Sequence, residues 1–338
     1  MPLHRTILLA LLACLAGCDA VVGLTSTPGV GAGQPDEFAG KREKGELVSL
    51  PPALSEALKK LSSPAPSPSP SPSPSPSPSP TPIPKVCDQP YTCLTYETQG
   101  RNVTVYLQPS IYTDMDVALT WSMTGLAADS APTSAVIPAG QKTVVGRLHY
   151  VANQGTFNVQ APSLKFGNPN LTTDGYVYGL PYRAPGSFTC GNAWNGFGAH
   201  TGDYRYAVDF LMPEGTPVIA ARDGVVFATE AGFSQGGNDP SLGSKANYVY
   251  IRHDDGGYGR YLHFKQRGVV VVPGQRVKRG DLVGYSGNVG WSTAPHLHFD
   301  VVTALSPTRD TTLPVKLLLH ANQPAGEEPR ANQTFTAF

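Results

Sequence analysis

From Pro64 to Pro84 every second residue is proline. Neither a helix interior nor a central strand accepts that pattern, because each proline fixes φ and removes a backbone donor. The run favours polyproline II. At about 3.1 Å per residue, its roughly 21 residues reach about 65 Å. It therefore divides the chain. Ahead of it, residues 19–63 are rich in Gly, Pro and charge and poor in aromatics, too little apolar surface to offset chain entropy. A short helix fits only where Leu54, Leu58 and Leu61 fall at i, i+4 and i+7. Behind it lie about 250 residues, enough for two modest domains. The formal net charge is +0 and no basic cluster occurs, which argues against nucleic acid as a partner.

At the N-terminus, His4 and Arg5 precede an apolar run, Ile7 to Ala16, that is too short to span a bilayer. It reads as the apolar part of a secretory signal. It ends in Leu15-Ala16-Gly17-Cys18, which resembles the lipobox of bacterial lipoproteins. That resemblance implies a signal peptide over 1–17, lipidation of Cys18, and a linker over 18–85 between membrane and folded region. The expected location is the cell envelope, lipid-anchored and facing the periplasm or the cell exterior. Of five cysteines, Cys14 leaves with the signal. Cys87 and Cys93 could close a small loop in an oxidising compartment. Cys190 is then odd, or pairs with either of them, since spacing does not fix connectivity.

Residues 86–175 read as a small all-β, sandwich-like domain. Val103–Leu107, Val117–Trp121 and Val144–Leu148 are short β-prone runs separated by Pro, Gly, Asn and Asp clusters. No convergent set of titratable residues appears there, and His149 is expected to be structural.

Residues 176–338 read as a second all-β domain with a C-terminal extension. Asn247–His253 and Tyr258–Phe264 predict a hairpin across Asp254-Asp-Gly-Gly257. In Ala294-Pro-His-Leu-His-Phe-Asp300, two histidines stand two apart in a β-prone run. Residues i and i+2 share a strand face, so both imidazoles enter one space while Leu297 and Phe299 turn away. His200, Asp209 and His263 complete the set of side chains able to hold or flank a metal. A catalytic zinc uses three nitrogen or oxygen ligands and leaves a position for water. His253 is expected to be structural, and His320 has no evident partner in the sequence.

Three stretches then define a family resemblance. They are Asp209–Val226 (Asp-Phe-Leu-Met-Pro-Glu-Gly-Thr-Pro-Val-Ile-Ala-Ala-Arg-Asp-Gly-Val-Val), Tyr261-Leu-His263, and Gly284-Tyr-Ser-Gly-Asn-Val-Gly-Trp-Ser-Thr-Ala-Pro-His-Leu-His-Phe299. In order, they resemble the lysostaphin/LytM-type zinc endopeptidases of bacterial cell walls, over roughly residues 180–303. The resemblance implies an antiparallel β-sheet peptidase domain, one Zn2+ per chain, and cleavage of peptide cross-links in peptidoglycan. It assigns Asp209 and His298 as metal ligands and His263 and His296 as catalytic histidines.

One position departs from the family pattern. The first ligand histidine is expected four residues before the aspartate, where this chain has Arg205. A guanidinium stays protonated and cannot ligate zinc. Two readings follow. In the favoured one, His200 supplies the third ligand from a slightly longer loop, because Asp209, His263, His296 and His298 are all present. In the other, the site has lost a ligand and binds zinc poorly. With no His-Glu-x-x-His present, His263 and His296 are the candidates for proton transfer and oxyanion stabilisation, with Tyr204 and Tyr206 as further oxyanion donors. Loops 231–246 and 286–295 are expected to wall the substrate groove. The alternative is a degenerate regulator of the same family that activates a cell-wall amidase.

Overall fold

The computed structural model describes residues 91–338. The signal segment, Cys18, the linker and Cys87 lie outside the described residues. Those described form an all-β chain with two short 3-10 turns.

In the N-terminal region, the strand Asn102–Pro109 alternates strictly, with Val103, Val105 and Leu107 buried and the residues between them partly exposed. That period puts one face on a core and the other toward solvent. The strand lies between Thr92–Gln99 and Thr143–Tyr150, and Leu126–Ser130 adds the fourth member. A three-stranded sheet (Ser134–Ile137, Met115–Ala118, Leu164–Phe166) and a two-stranded one (Thr120–Thr124, Thr156–Gln160) complete the region. Met115, Val117, Leu119, Ile137, Leu148 and Val159 join the three valine and leucine side chains in one core. His149 sits at the surface, 2.9 Å from Asp129. Cys93 is disulfide-bonded, whereas Cys190 is a free buried thiol. The pairing of Cys190 with either neighbour is thereby ruled out.

The C-terminal region is built on a nine-stranded antiparallel sheet. Its order is Arg276–Val277, Gly224–Glu230, Tyr248–Arg252, Tyr258–Leu262, His296–Ser306, Val208–Leu211, Ser187–Asn192 and Thr334–Thr336, with Arg309–Thr312 also pairing His296–Ser306. Tyr248–Arg252 and Tyr258–Leu262 form the hairpin expected across the Asp-Asp-Gly-Gly turn. The longest strand, His296–Ser306, is central and buried through Ala304. On one face Leu297, Phe299 and Val301 meet Phe210, Val249, Ile251 and Tyr261. Each such side chain contributes about 1.5–3 kcal/mol on burial, which fixes the register. A one-residue slip would turn the histidines into this core.

The two regions share a third apolar cluster. Ile111, Tyr112 and Phe166 pack on Phe227, Tyr248, Tyr250, Tyr258, Leu262 and Val302, and the Phe166 ring meets Phe227 edge-on at 5.3 Å. Asn168 and Thr303 exchange hydrogen bonds of 3.0 and 2.9 Å. No helix among the described residues is long and apolar enough to cross a membrane.

Candidate metal centre

The register creates the site. Asp209 lies directly opposite His298 across the pair formed by Val208–Leu211 and His296–Ser306. Cross-strand partners share a face, so carboxylate and imidazole meet, with His298 Nδ1 at 2.9 Å from Asp209 Oδ1. His200 arrives from the loop ahead of Val208. The 3-10 turn Gly202–Tyr204 takes up the extra loop length and leaves His200 buried, its Nε2 at 3.1 Å from Asp209 Oδ2. One ligand atom from each of His200, Asp209 and His298 lies within 4.8 Å of the others. Arg205 points elsewhere. It is exposed, donates to the Gly202 carbonyl at 3.2 Å and lies over the Tyr206 ring.

The donor chemistry fits a cation. His200 Nδ1 faces the Ala193 carbonyl at 3.3 Å. A carbonyl only accepts, so in the neutral imidazole Nδ1 holds the proton and Nε2 offers a lone pair. That nitrogen is buried and has no hydrogen-bond partner, although a carboxylate oxygen stands beside it. His298 has carboxylates on both sides, since its Nε2 lies 3.2 Å from Asp300 Oδ2. When His298 is neutral, one of those two contacts sets lone pair against lone pair. A cation held among His200, Asp209 and His298 would remove both conflicts. Burial alone would raise the Asp209 carboxyl, but His200 and His298 in their protonated forms outweigh it and hold Asp209 well below the usual carboxylate range. A cation in place of those protons would act in the same direction. It is therefore ionised and ready to ligate.

The other two histidines flank this cluster. His263 follows the strand Tyr258–Leu262 with a left-handed backbone (φ 70), a conformation uncommon for non-glycine residues. Strict alternation would send its ring after Tyr261 into the apolar core. The turn instead brings it to 4.5 Å, ring centre to ring centre, from His296. Its Nδ1 lies 2.8 Å from the Val289 carbonyl, and His296 Nδ1 lies 2.8 Å from the Ala294 carbonyl. Both rings therefore carry the proton on Nδ1 and leave Nε2 unprotonated. His296 Nε2 is 3.7 Å from Asp209 Oδ1. Burial, reinforced by His296 and His298, pushes His263 down to about 3. Burial also lowers His296, against the pull of Asp209.

The loops expected to wall the groove are joined to each other. Gly236–Gly237 pairs in parallel with Gly290–Trp291. Gly290 has φ 98 and sits so close to Ala246 that a side chain would clash at 2.8 Å. Trp291 stays partly exposed on this rim and donates to Asn238 at 3.3 Å.

Two sequence expectations change, those at Tyr204 and His320. The Tyr204 hydroxyl donates to Asp310 at 2.7 Å, so it is committed away from any oxyanion. The Tyr206 ring packs edge-on against Trp194. His320 does have a neighbour, Glu327, at 3.8 Å. His253 is buried behind the sheet, with Nδ1 2.8 Å from the Asp223 carbonyl.

An antiparallel β-sheet aims two imidazoles and a carboxylate at one point, with two more buried imidazoles alongside, a histidine/aspartate cluster that could hold a metal ion. Residues 203–309 match peptidase family M23, and this part of the chain is a lysostaphin/LytM-type domain of that family. The match begins three residues after His200. A peptidoglycan DD-endopeptidase of Vibrio cholerae is 42% identical over 99 residues, 29% of this chain and 20% of that protein. A glycyl-glycine endopeptidase of Staphylococcus capitis is 42% identical over 103 residues, 30% of this chain and 25% of that protein. The solved catalytic domain of lysostaphin from Staphylococcus simulans is 30% identical, covering 37% of this chain and 87% of that one, with a TM-score of 0.26. The chain spans 20–25% of the length of the first curated relatives it matches.

Proposed function

We propose that this protein is a zinc-dependent endopeptidase that hydrolyses peptide cross-links of bacterial peptidoglycan. One observation carries the reading: ligand atoms of His200, Asp209 and His298 converge within 4.8 Å, while His263 and His296 stand beside them with Nε2 unprotonated. The similarity to a peptidoglycan DD-endopeptidase and a glycyl-glycine endopeptidase supports the substrate class.

His200, Asp209 and His298 would hold the ion. Zinc there supplies Lewis acidity toward the scissile carbonyl and makes water more acidic. The remaining work falls to protein groups. His263 and His296 are neutral at neutral pH because burial lowers both, so each can accept a proton through Nε2. They would take it from the attacking water and return it to the departing amine. The carbonyls of Val289 and Ala294 hold the rings in that tautomer throughout. Ser292 adds a contact to His296 Nδ1 at 3.1 Å. The joined loops around Gly237 and Trp291 would form one wall of the substrate groove.

His200 beside Asp209 favours the enzyme over an amidase-activating regulator, since Arg205 alone would have left a ligand missing. We also propose that Cys18 is lipidated and that the proline-rich linker carries the catalytic region from a membrane toward the wall. The test is digestion of purified peptidoglycan, with products analysed by mass spectrometry. New amino termini at cross-link positions, dependent on added zinc and absent in His296→Ala, are expected. Intact cross-links with zinc bound would overturn the enzyme reading.

A further inference from the structure

The strand that carries both site histidines continues the same face to a third polar residue. His296, His298 and Asp300 stand at i, i+2 and i+4. Asp300 is fully buried, and its carboxylate is gripped across the sheet by its register partner Arg260. Arg260 Nε donates to Oδ1 at 2.8 Å and Nη2 to Oδ2 at 2.5 Å. The two-point contact fixes the plane of the carboxylate. Oδ2 also faces His298 Nε2 at 3.2 Å. Behind Arg260, Asp310 lies 3.7 Å from Nη1. Asp310 in turn accepts from Tyr204 and lies 3.6 Å from Lys165 of the N-terminal region. A line of alternating charge, buried from Asp310 inward, thus ends on one nitrogen of a proposed metal ligand.

We propose that Asp300, held by Arg260, is a positioning residue that keeps the His298 proton on Nε2 and so presents Nδ1 to the metal. The inference rests on the metal site of the proposed function. Its chemistry is direct. An ionised carboxylate only accepts, so the nitrogen facing it must donate. Nδ1, on the far side of the ring, faces Asp209 at 2.9 Å, so each nitrogen has a carboxylate beside it. A cation shared with Asp209 would displace the proton from Nδ1 alone, because Asp300 is tied to Arg260 and keeps its hold on Nε2–H. Without Asp300, the ring could rotate or exchange tautomers, and Nδ1–H would be drawn to Asp209 in competition with the ion. Outer carboxylates of this kind typically contribute 10–100-fold to metal affinity.

The test is zinc affinity of the purified full chain, measured by competition with a chromophoric chelator, for the wild type and for Asp300→Asn. Asparagine keeps the shape but removes the charge. One zinc per wild-type chain, bound about 10–100-fold more weakly by Asp300→Asn, is the expected result. Equal affinity in the two proteins would overturn the inference while leaving the metal site intact. No zinc on the wild type would overturn both this inference and the proposed function. Arg260 loses the charge of its two-point partner in the variant and keeps Asp310 at 3.7 Å, so a melt in chelator checks that Asp300→Asn still folds. If it does not, long-range 1H–15N spectra of zinc-loaded wild type decide. A proton on Nε2 of His298 supports the proposal, and a proton on Nδ1 overturns it.

Discussion

The two β regions are built from the same strand grammar and differ in what they bury. In the N-terminal region the core is valine, leucine, isoleucine and methionine, with Thr92, Thr113, Asp114 and Asp116 as its buried polar residues. In the C-terminal region one face of the sheet packs an apolar core, with His253 against Tyr178 on that side, while the other face buries His263, His296, His298, Asp300, Arg260 and Asp310. Burying polar and charged groups costs several kcal/mol unless each finds a partner. A chain that accumulates them on one face of one sheet spends stability there for chemistry. The N-terminal region shows what the same architecture looks like without that demand.

If the contrast is right, the largest effect belongs to the ligands. His298→Ala should lose zinc and with it all measurable cross-link cleavage, read by elemental analysis and peptidoglycan digestion in parallel. Zinc retained at full stoichiometry would place the ligand elsewhere. Next comes His296→Ala. It should keep its metal but cleave about 10²–10⁴-fold more slowly, the usual range for loss of a positioned acid–base group. Loss of zinc in that variant would merge the two classes of histidine. On the dry side, Leu148→Ala should lower the unfolding free energy by about 2–5 kcal/mol in urea titrations without changing zinc content. A change in metal content there would mean that the N-terminal core is not independent of the site.

A smaller effect should follow pH. Burial pushes His253 down to about 3, against about 6.5 in an unfolded chain. Between those values the unfolded chain binds a proton that the folded chain refuses. Stability therefore rises with pH across that window and is lost as pH falls through it, by about 1.4 kcal/mol per unit at most for this one group. His253→Gln should flatten the urea-midpoint profile between about pH 4 and pH 6, and an unchanged slope would remove His253 as its source. The smallest effect is expected at Arg205. Arg205→Ala, at an exposed position, should change stability by no more than about 0.5 kcal/mol and leave zinc affinity unchanged.

How much of this was legible beforehand follows from the range of each signal. The same-face pair His296 and His298 is visible from period two alone, and so was the direction of Leu297 and Phe299. Asp300 obeys the same period and could have been read with them; its significance needed Arg260, whose pairing is a matter of register between distant strands. His200 could be named as the replacement for a missing histidine, but spacing gives no hint that a 3-10 turn at Gly202–Tyr204 would bring it back to Asp209. His263 is the reverse case. Its motif is plain, while alternation along its strand points it into the apolar core, and only a left-handed backbone brings it to the site. Tyr204 was misread for a related reason: its partner, Asp310, is 106 residues away. In the N-terminal region Val103–Leu107 and Val144–Leu148 each fall within one strand, but Val117–Trp121 divides between Met115–Ala118 and Thr120–Thr124, which belong to different sheets. Thr92–Gln99, eight residues long, is too polar to stand out from the turns around it.

The central claim is that His200, Asp209 and His298 together hold one zinc ion despite Arg205. The most direct test is the zinc content of the purified chain beside that of His200→Ala, both prepared with excess metal and then desalted. The account expects about one zinc per chain in the wild type and little or none in the variant. Full zinc in His200→Ala, or none in the wild type, would contradict it.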